Sequence, residues 1–112
     1  MNIAKTKSEI AAQNAVISAF KAAFAKHMTL ASVAAGQIAP ARKWYNECNN
    51  ASEASAQFVR EAKAAVATDR EGRDWNTAAA AAAEDFAAQA ALDAQDASDA
   101  CASLRLPKTV GF

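Results

Sequence analysis

Alanine is the feature that most limits what this chain can fold into, because 34 of its 112 residues are alanine and they occur along most of its length. Alanine is the best helix former, since it loses no side-chain freedom in a helix. Glycine and proline, which interrupt helices, occur only three times and twice. Few turns are therefore available, and the sequence predicts long helices.

The first predicted helix spans residues 7–27. Thr6 and Glu9 have the spacing of a capping box at its start. His27, the only histidine, stands at its predicted end, where a cation interacts favourably with the helix dipole. A sevenfold repeat keeps side chains on one line of a slightly underwound helix, so we expect one such line to face a partner helix. It consists of Ile3, Ile10, Ile17 and Phe24.

A partly helical connection over residues 28–40 leads to the second predicted helix. This helix begins at Pro40, because proline suits a first helical turn, and ends between Thr68 and Gly72. Apolar and small residues at steps of three and four define its inward face. They are Ala41, Trp44, Tyr45, Cys48, Ala51, Ser55, Phe58, Val59, Ala62 and Val66.

The third predicted helix is capped by Asp74 and ended by Pro107. Residues 1–106 then form one domain, and residues 107–112 form a short tail. A stripe with a mean spacing near that of an α-helix predicts the buried face of this helix. Its members are Trp75, Ala79, Ala82, Phe86, Ala90, Ala94, Ala97, Cys101 and Leu104.

These elements predict an all-α fold, a three-helix up-down-up bundle with two long Ala-rich antiparallel helices. Burying one methyl group contributes about 0.8 kcal/mol, against about 1.5–3 kcal/mol for a larger apolar side chain. We therefore expect closely packed helices, with large residues such as Phe86 filling the remaining space, so that Phe86→Ala costs about 3–5 kcal/mol. Completion of the weak core by a homodimer is an open alternative.

Catalytic and metal-binding motifs are missing from the sequence. There is no Gly-rich phosphate loop, no GxSxG and no HExxH, so we expect no enzyme, no cofactor and no metal site. An enzyme using His27 with a carboxylate is the weakest alternative. The predicted turn places Cys48 and Cys101 at different levels of the bundle, so we expect two buried thiols and no disulfide.

Charge is distributed unevenly in a chain whose 12 basic and 12 acidic residues cancel. This balance disfavours direct nucleic-acid binding and attraction to an anionic membrane. Residues 74–104 contain six acids and no base, and we expect four of the acids to form a ridge opposite the alanine stripe. This ridge is either a solvated face or a partner-binding surface. The predicted partner-binding residues are Asp85, Asp93, Asp96 and Asp99 of the ridge, together with the aromatic residues Trp44 and Tyr45.

The function expected from these features is a small non-enzymatic protein–protein interaction module of the cytoplasm. An inhibitor or immunity-type factor would use the acidic face to bind a macromolecular machine that expects phosphates, for example as a phage-encoded inhibitor of a nucleic-acid-handling defence complex. The alternative is a self-associating helical scaffold or assembly subunit. No apolar run is long enough to predict a transmembrane helix.

Overall fold

Three helices make up the computed structural model of the chain, which describes residues 6–68 and 73–110. They are α1 (Lys7–Ala34), α2 (Ile38–Val66) and α3 (Arg73–Val110), and the described residues contain no strand. Each helix packs against both of the others, which confirms the all-α three-helix bundle. The bundle is elongated, with a radius of gyration of 17.6 Å, whereas a globular domain of this length has about 13 Å. No helix in the described ranges combines the length and apolarity needed to cross a membrane.

The ends of α1 show one prediction confirmed and two wrong. The Thr6 hydroxyl accepts a hydrogen bond from the Glu9 N–H at 3.2 Å, as the capping box predicts. The helix continues to Ala34, so the connection predicted over residues 28–40 shortens to residues 35–37. His27 therefore lies within the helix and is exposed, which makes its predicted capping role wrong.

Gly36 is the residue that ends α1 and turns the chain toward α2. Its φ of 71° lies in the left-handed region that glycine adopts without strain. The N–H of Gly36 donates to the carbonyl of Val33, and the N–H of Gln37 donates to the carbonyl of Ser32, both at 2.9 Å. This pattern is a Schellman motif, which satisfies the last carbonyl groups of the helix.

The starts and ends of α2 and α3 differ from the predictions by a few residues. Pro40 lies in the first turn of α2, where its missing N–H is not needed. Asp74 lies in the first turn of α3 and is not its cap, and α3 continues past Pro107 to Val110. Proline removes one helix hydrogen bond and clashes with the carbonyl four residues earlier, which can bend a helix without ending it, so the prediction that Pro107 ends α3 was wrong. Gly72, the predicted stop of α2, lies outside the described residues.

The buried positions of the helices repeat at alternating steps of three and four, the spacing of coiled coils. On α1 they include Ser8, Ala11, Ala15, Ser18, Ala22, Ala25, Thr29 and Ser32, and on α2 they are Ala41, Cys48, Ser52, Ser55, Val59 and Ala62. On α3 they include Asn76, Ala80, Ala83, Ala87, Ala90, Ala94, Ala97 and Cys101. The core is therefore built almost entirely from small residues.

Short side chains of the core reach the backbone of neighbouring helices. The Ser55 hydroxyl donates to the carbonyl of Ala15 at 2.7 Å, and the Cys48 thiol donates to the carbonyl of Ala22 at 3.2 Å. The Cys101 thiol lies 3.6 Å from a carbonyl oxygen of α2. These contacts confirm that the helices approach closely and that both cysteines are buried thiols.

The predicted α1 line was wrong, because its large residues Ile10, Ile17 and Phe24 are exposed and small residues face the bundle instead. Its first member, Ile3, lies outside the described residues. On α3 the predicted stripe is correct from Ala90 to Cys101 but displaced by one residue in its first half. Six consecutive alanines at residues 78–83 give no contrast in hydrophobicity there, so the sequence pattern could not place the inward face.

Candidate protein-binding surface

The outward face of α1 carries four large apolar side chains, which we call the α1 stripe. They are Ile10, Ile17, Phe20 and Phe24, exposed by 46% to 60%. These residues lie on the outward face because the opposite face of α1 packs closely against α2 and α3, where small residues fit. The face that ordinarily points to solvent is therefore the more hydrophobic one.

Aromatic residues of the neighbouring helices extend the α1 stripe on both sides. Phe20 meets Phe86 of α3 edge-on with ring centroids 5.6 Å apart, and Phe24 meets Trp44 of α2 at the same distance. Phe86 is 40% exposed. The exposed parts of the stripe and Phe86 together amount to roughly 500 Å² of apolar surface. That is within the size of the largest patches on monomers, which often mark interaction sites.

Several open grooves run beside α1, and two of them border Ile17. The groove between α1 and α3 has a volume of about 480 Å³ and is lined by Val16, Ile17, Trp75 and neighbouring small residues. The groove between α1 and α2 has a volume of about 610 Å³ and is lined by Ile17, Phe24, Trp44 and neighbouring residues. Ile17 borders both grooves, so it stands at the centre of this surface.

An ion-pair cluster joins α1 and α3 on the C-terminal side of the Phe20–Phe86 pair. The Lys26 ammonium lies 3.3 Å from Asp93 Oδ1 and 3.2 Å from Asp96 Oδ2. The amide of Gln89 donates a second hydrogen bond to Asp93 Oδ1 at 3.1 Å. The hydrogen bonds that the Lys26 ammonium donates to Asp96 and Asp93 raise the pKa of Lys26 above its ordinary value. The cluster holds α1 and α3 together and marks the polar end of the surface.

The predicted acidic ridge is not one exposed face. Asp93 is only 4% exposed and points toward α1, which corrects its predicted position opposite the alanine stripe. Asp96 is about half exposed but pairs with Lys26. Asp85 and Asp99 are exposed, so a contact with a partner remains a prediction for them.

The predicted aromatic contacts, Trp44 and Tyr45, are half-buried and pack against the core. Trp44 still borders the α1–α2 groove, and the Lys43 ammonium lies 5.2 Å from the centre of its ring. Trp44 thus belongs to the edge of the α1 surface, and the partner-binding role of both residues remains a prediction.

Sequence reasoning missed two features that the sequence does signal. Asp93 follows Ala90 by three residues and precedes Ala97 by four, so the correctly predicted part of the α3 stripe already placed it beside the core. On α1, a second heptad line of small residues runs parallel to the line of large ones. Either line could face the bundle, and only the size of the facing residues on α2 and α3 decides between them.

Cys48 is a fully buried thiol between α1 and α3. Burial raises its pKa to about 11, and the nearby Asp93 carboxylate adds to the increase. Thiolate is the reactive form of cysteine, so this environment makes Cys48 a packing residue and a poor nucleophile. Within the described ranges, no three potential ligands come together in a way that could hold a metal ion.

No protein-family model matches this chain, and neither a curated protein nor a solved structure matches it. Its function is therefore inferred from its own surface.

Proposed function

We propose that this chain is a protein-binding module that acts by recognition and not by catalysis, with the α1 stripe as its main contact. The observation that carries the proposal is the reversal of side-chain size across α1, where alanine and serine are buried and isoleucine and phenylalanine are exposed. Large apolar residues are usually the most buried in a monomer. Their display on one helix is typical of a surface that a partner covers.

The partner that fits this surface presents an apolar α-helix. The α1 stripe follows the period of a helix, and grooves on both sides of Ile17 can accept side chains from a second helix. Three packed helices hold the surface in place, so little conformational entropy is lost on binding. The charged residues at the edge of the surface, such as Lys21 and Lys43, then contribute orientation and association rate.

The mode of action we propose is that of an inhibitor or immunity-type factor, which neutralises a larger assembly by covering one of its surfaces. Asp85 and Asp99 on α3 are exposed acids and can add an electrostatic contact to a basic surface of the target. A target that handles nucleic acid fits this contact, because its own surface is basic where it binds phosphates.

A capture experiment with matched variants tests this proposal. The intact chain, Ile17→Glu and Leu92→Glu are each immobilised, incubated with lysate of the native host and analysed by mass spectrometry. Leu92 is 60% exposed and lies on α3 outside the α1 stripe, so its variant controls for the added charge. We expect a protein that the wild type and Leu92→Glu retain, that Ile17→Glu loses, and that binds the purified chain at fixed stoichiometry. Loss of that protein in both variants, or in neither, contradicts the assignment of the binding surface.

A further inference from the structure

We infer that the α1 stripe of one molecule pairs with the α1 stripe of a second copy, antiparallel, about a two-fold axis at Ile17. This inference rests on the proposed function in treating the α1 stripe as a protein-binding surface, and it names an occupant of that surface.

Three of the four stripe residues are spaced symmetrically about Ile17, while the position that mirrors Phe20 is Asn14. Ile10 and Phe24 each lie seven residues from Ile17, or about 10 Å along the helix axis. In an antiparallel pair centred on Ile17, Ile10 of each copy therefore faces Phe24 of the other, and the two Ile17 side chains meet at the axis. Such self-complementarity is what a two-fold interface requires.

The two grooves that border Ile17 agree with this arrangement, and a further groove on the α2 side lies beside Lys7 to Asn14. The α1–α3 groove lies beside the half of α1 that runs from Glu9 to Ile17, and the α1–α2 groove lies beside the half from Ile17 to Ala25. The two grooves are on opposite sides of the helix. A second helix that crosses α1 obliquely over Ile17 can thus place side chains in both grooves.

The size of the apolar surface suits a dimer of this kind. A standard interface buries about 800 Å² on each partner, and homodimer interfaces are about 65% apolar. The roughly 500 Å² of apolar surface on the stripe and Phe86 supplies about that share. Pairing also adds large buried side chains to a chain whose own core consists mostly of alanine.

Pairing and partner binding exclude each other, because both cover the α1 stripe. The dimer is then a resting state, and a partner helix has to displace the second copy. Raising the concentration of the chain consequently weakens its apparent affinity for a partner.

Sedimentation equilibrium of the purified full chain tests the pairing, with Ile17→Glu and Leu92→Glu as variants. We expect the wild type and Leu92→Glu to associate to dimers with equal dissociation constants. For Ile17→Glu we expect a dissociation constant raised about 100-fold or more, since two apolar contacts are lost per dimer. Circular dichroism should show unchanged helix content. A wild type that stays monomeric at high concentration, or an Ile17→Glu dimer as strong as the wild type, overturns the inference.

A cross-linking experiment tests the two-fold axis itself. Ile17→Cys should form a disulfide-linked dimer under mild oxidation, because residue 17 of both copies lies at the axis. Leu92→Cys and the wild type should not, since Leu92 lies on α3 outside the stripe and the two native cysteines, Cys48 and Cys101, are buried. Equal cross-linking of both variants overturns the assigned geometry. A wild type that is monomeric but still captures a partner through Ile17 overturns the pairing and leaves the proposed function supported. A wild type that neither dimerises nor captures a partner contradicts both.

Discussion

Lys26 of α1 and Asp93 of α3 form an ion pair in which the aspartate side chain is only 6% exposed. Asp93 has just two side-chain partners in the described part of the chain, Lys26 and Gln89. Replacing Lys26 leaves a buried carboxylate without a counter-charge. We expect Lys26→Met to lower the free energy of unfolding by about 2–4 kcal/mol, measured by chemical denaturation at pH 7.

The control for this prediction is the pair between Lys63 and Glu84, whose side chains are each 53% exposed. Exposed pairs are screened by water, so Lys63→Met should cost less than about 1 kcal/mol. The double variant Lys26→Met/Asp93→Leu should recover most of the loss, because no unpaired charge remains buried. Equal effects of Lys26→Met and Lys63→Met would show that the Lys26 pair is not buried in solution.

Enlarging a core alanine should destabilise the chain more than truncating a large residue of the α1 stripe. Ala22 is fully buried, so Ala22→Leu should cost about 1–3 kcal/mol or more by overpacking. Phe24→Ala removes a half-exposed ring and should cost only about 1–1.5 kcal/mol. Thermal or chemical denaturation at low protein concentration measures both. The opposite order would mean that the α1 stripe faces the core.

Phe86→Ala should also cost less than sequence reasoning predicts. The ring is 40% exposed and rests on Phe20 at the surface, so its removal opens no enclosed cavity. We expect a loss of about 1–2 kcal/mol in place of the 3–5 kcal/mol typical of a buried aromatic residue. A measured loss near the higher range would place Phe86 in the core.

The Ser55 hydroxyl should contribute to stability through its hydrogen bond to the backbone of α1. Ser55 is fully buried and donates to the carbonyl of Ala15 at 2.7 Å. Ser55→Ala should therefore lower the free energy of unfolding by about 1 kcal/mol. The exposed Ser103 donates within its own helix, so Ser103→Ala should have almost no effect. Similar values for the two variants would argue against close contact of α1 and α2 at this point.

Alkaline pH should destabilise the chain in two steps that start at different values. The pKa of Cys48 rises from 9.0 to about 11 on folding, so the unfolded chain loses this proton first. Its contribution to the free energy of unfolding therefore falls from pH 9 upward, by about 2–3 kcal/mol in all. Folding raises the pKa of Lys26 above 10.5. The charged Lys26 side chain therefore contributes its full stabilisation below pH 10.5 and loses it as the pH rises further.

Denaturation curves of the wild type and Cys48→Ala from pH 7 to pH 11 separate the two steps. The stability difference between the two proteins should shrink as pH rises from 9, because the variant lacks the thiol. A difference that is constant over this range would mean that Cys48 is not buried in the folded chain.

Much of the fold could be predicted from the sequence because alanine, two prolines and three glycines allow few alternatives to long helices. The inward face of α2 was also predictable, since charged residues such as Glu47 and Arg60 alternate there with apolar ones and give clear contrast. The inward face of α1 was not. Both of its faces have heptad spacing, and the choice of Ala15 and Ala22 over Ile17 and Phe24 depends on how closely α2 and α3 approach, a property of three helices together.

The candidate site was harder to predict than the fold for the same reason. Once Ile17 and Phe24 are assigned to the core, Trp44 and Tyr45 are the apolar candidates left for a partner contact, and the acidic residues become the main choice. Asp93 then counts as exposed, although its distance from Ala90 and Ala97 places it at the edge of the core. Its contact with Lys26 joins residues 67 positions apart and could not be read from local spacing.

The most direct test of the account is hydroxyl-radical footprinting of the intact chain at increasing protein concentration, with oxidation of each residue measured by mass spectrometry. At the lowest concentration, Phe20 and Phe24 should oxidise at rates expected of half-exposed rings. As the concentration rises, their oxidation should slow, while that of Leu92 stays constant, because the second copy covers only the α1 stripe. Protection of both phenylalanines at the lowest concentration would place them in the core and contradict the account. Rates that do not change with concentration, relative to Leu92, would contradict the pairing.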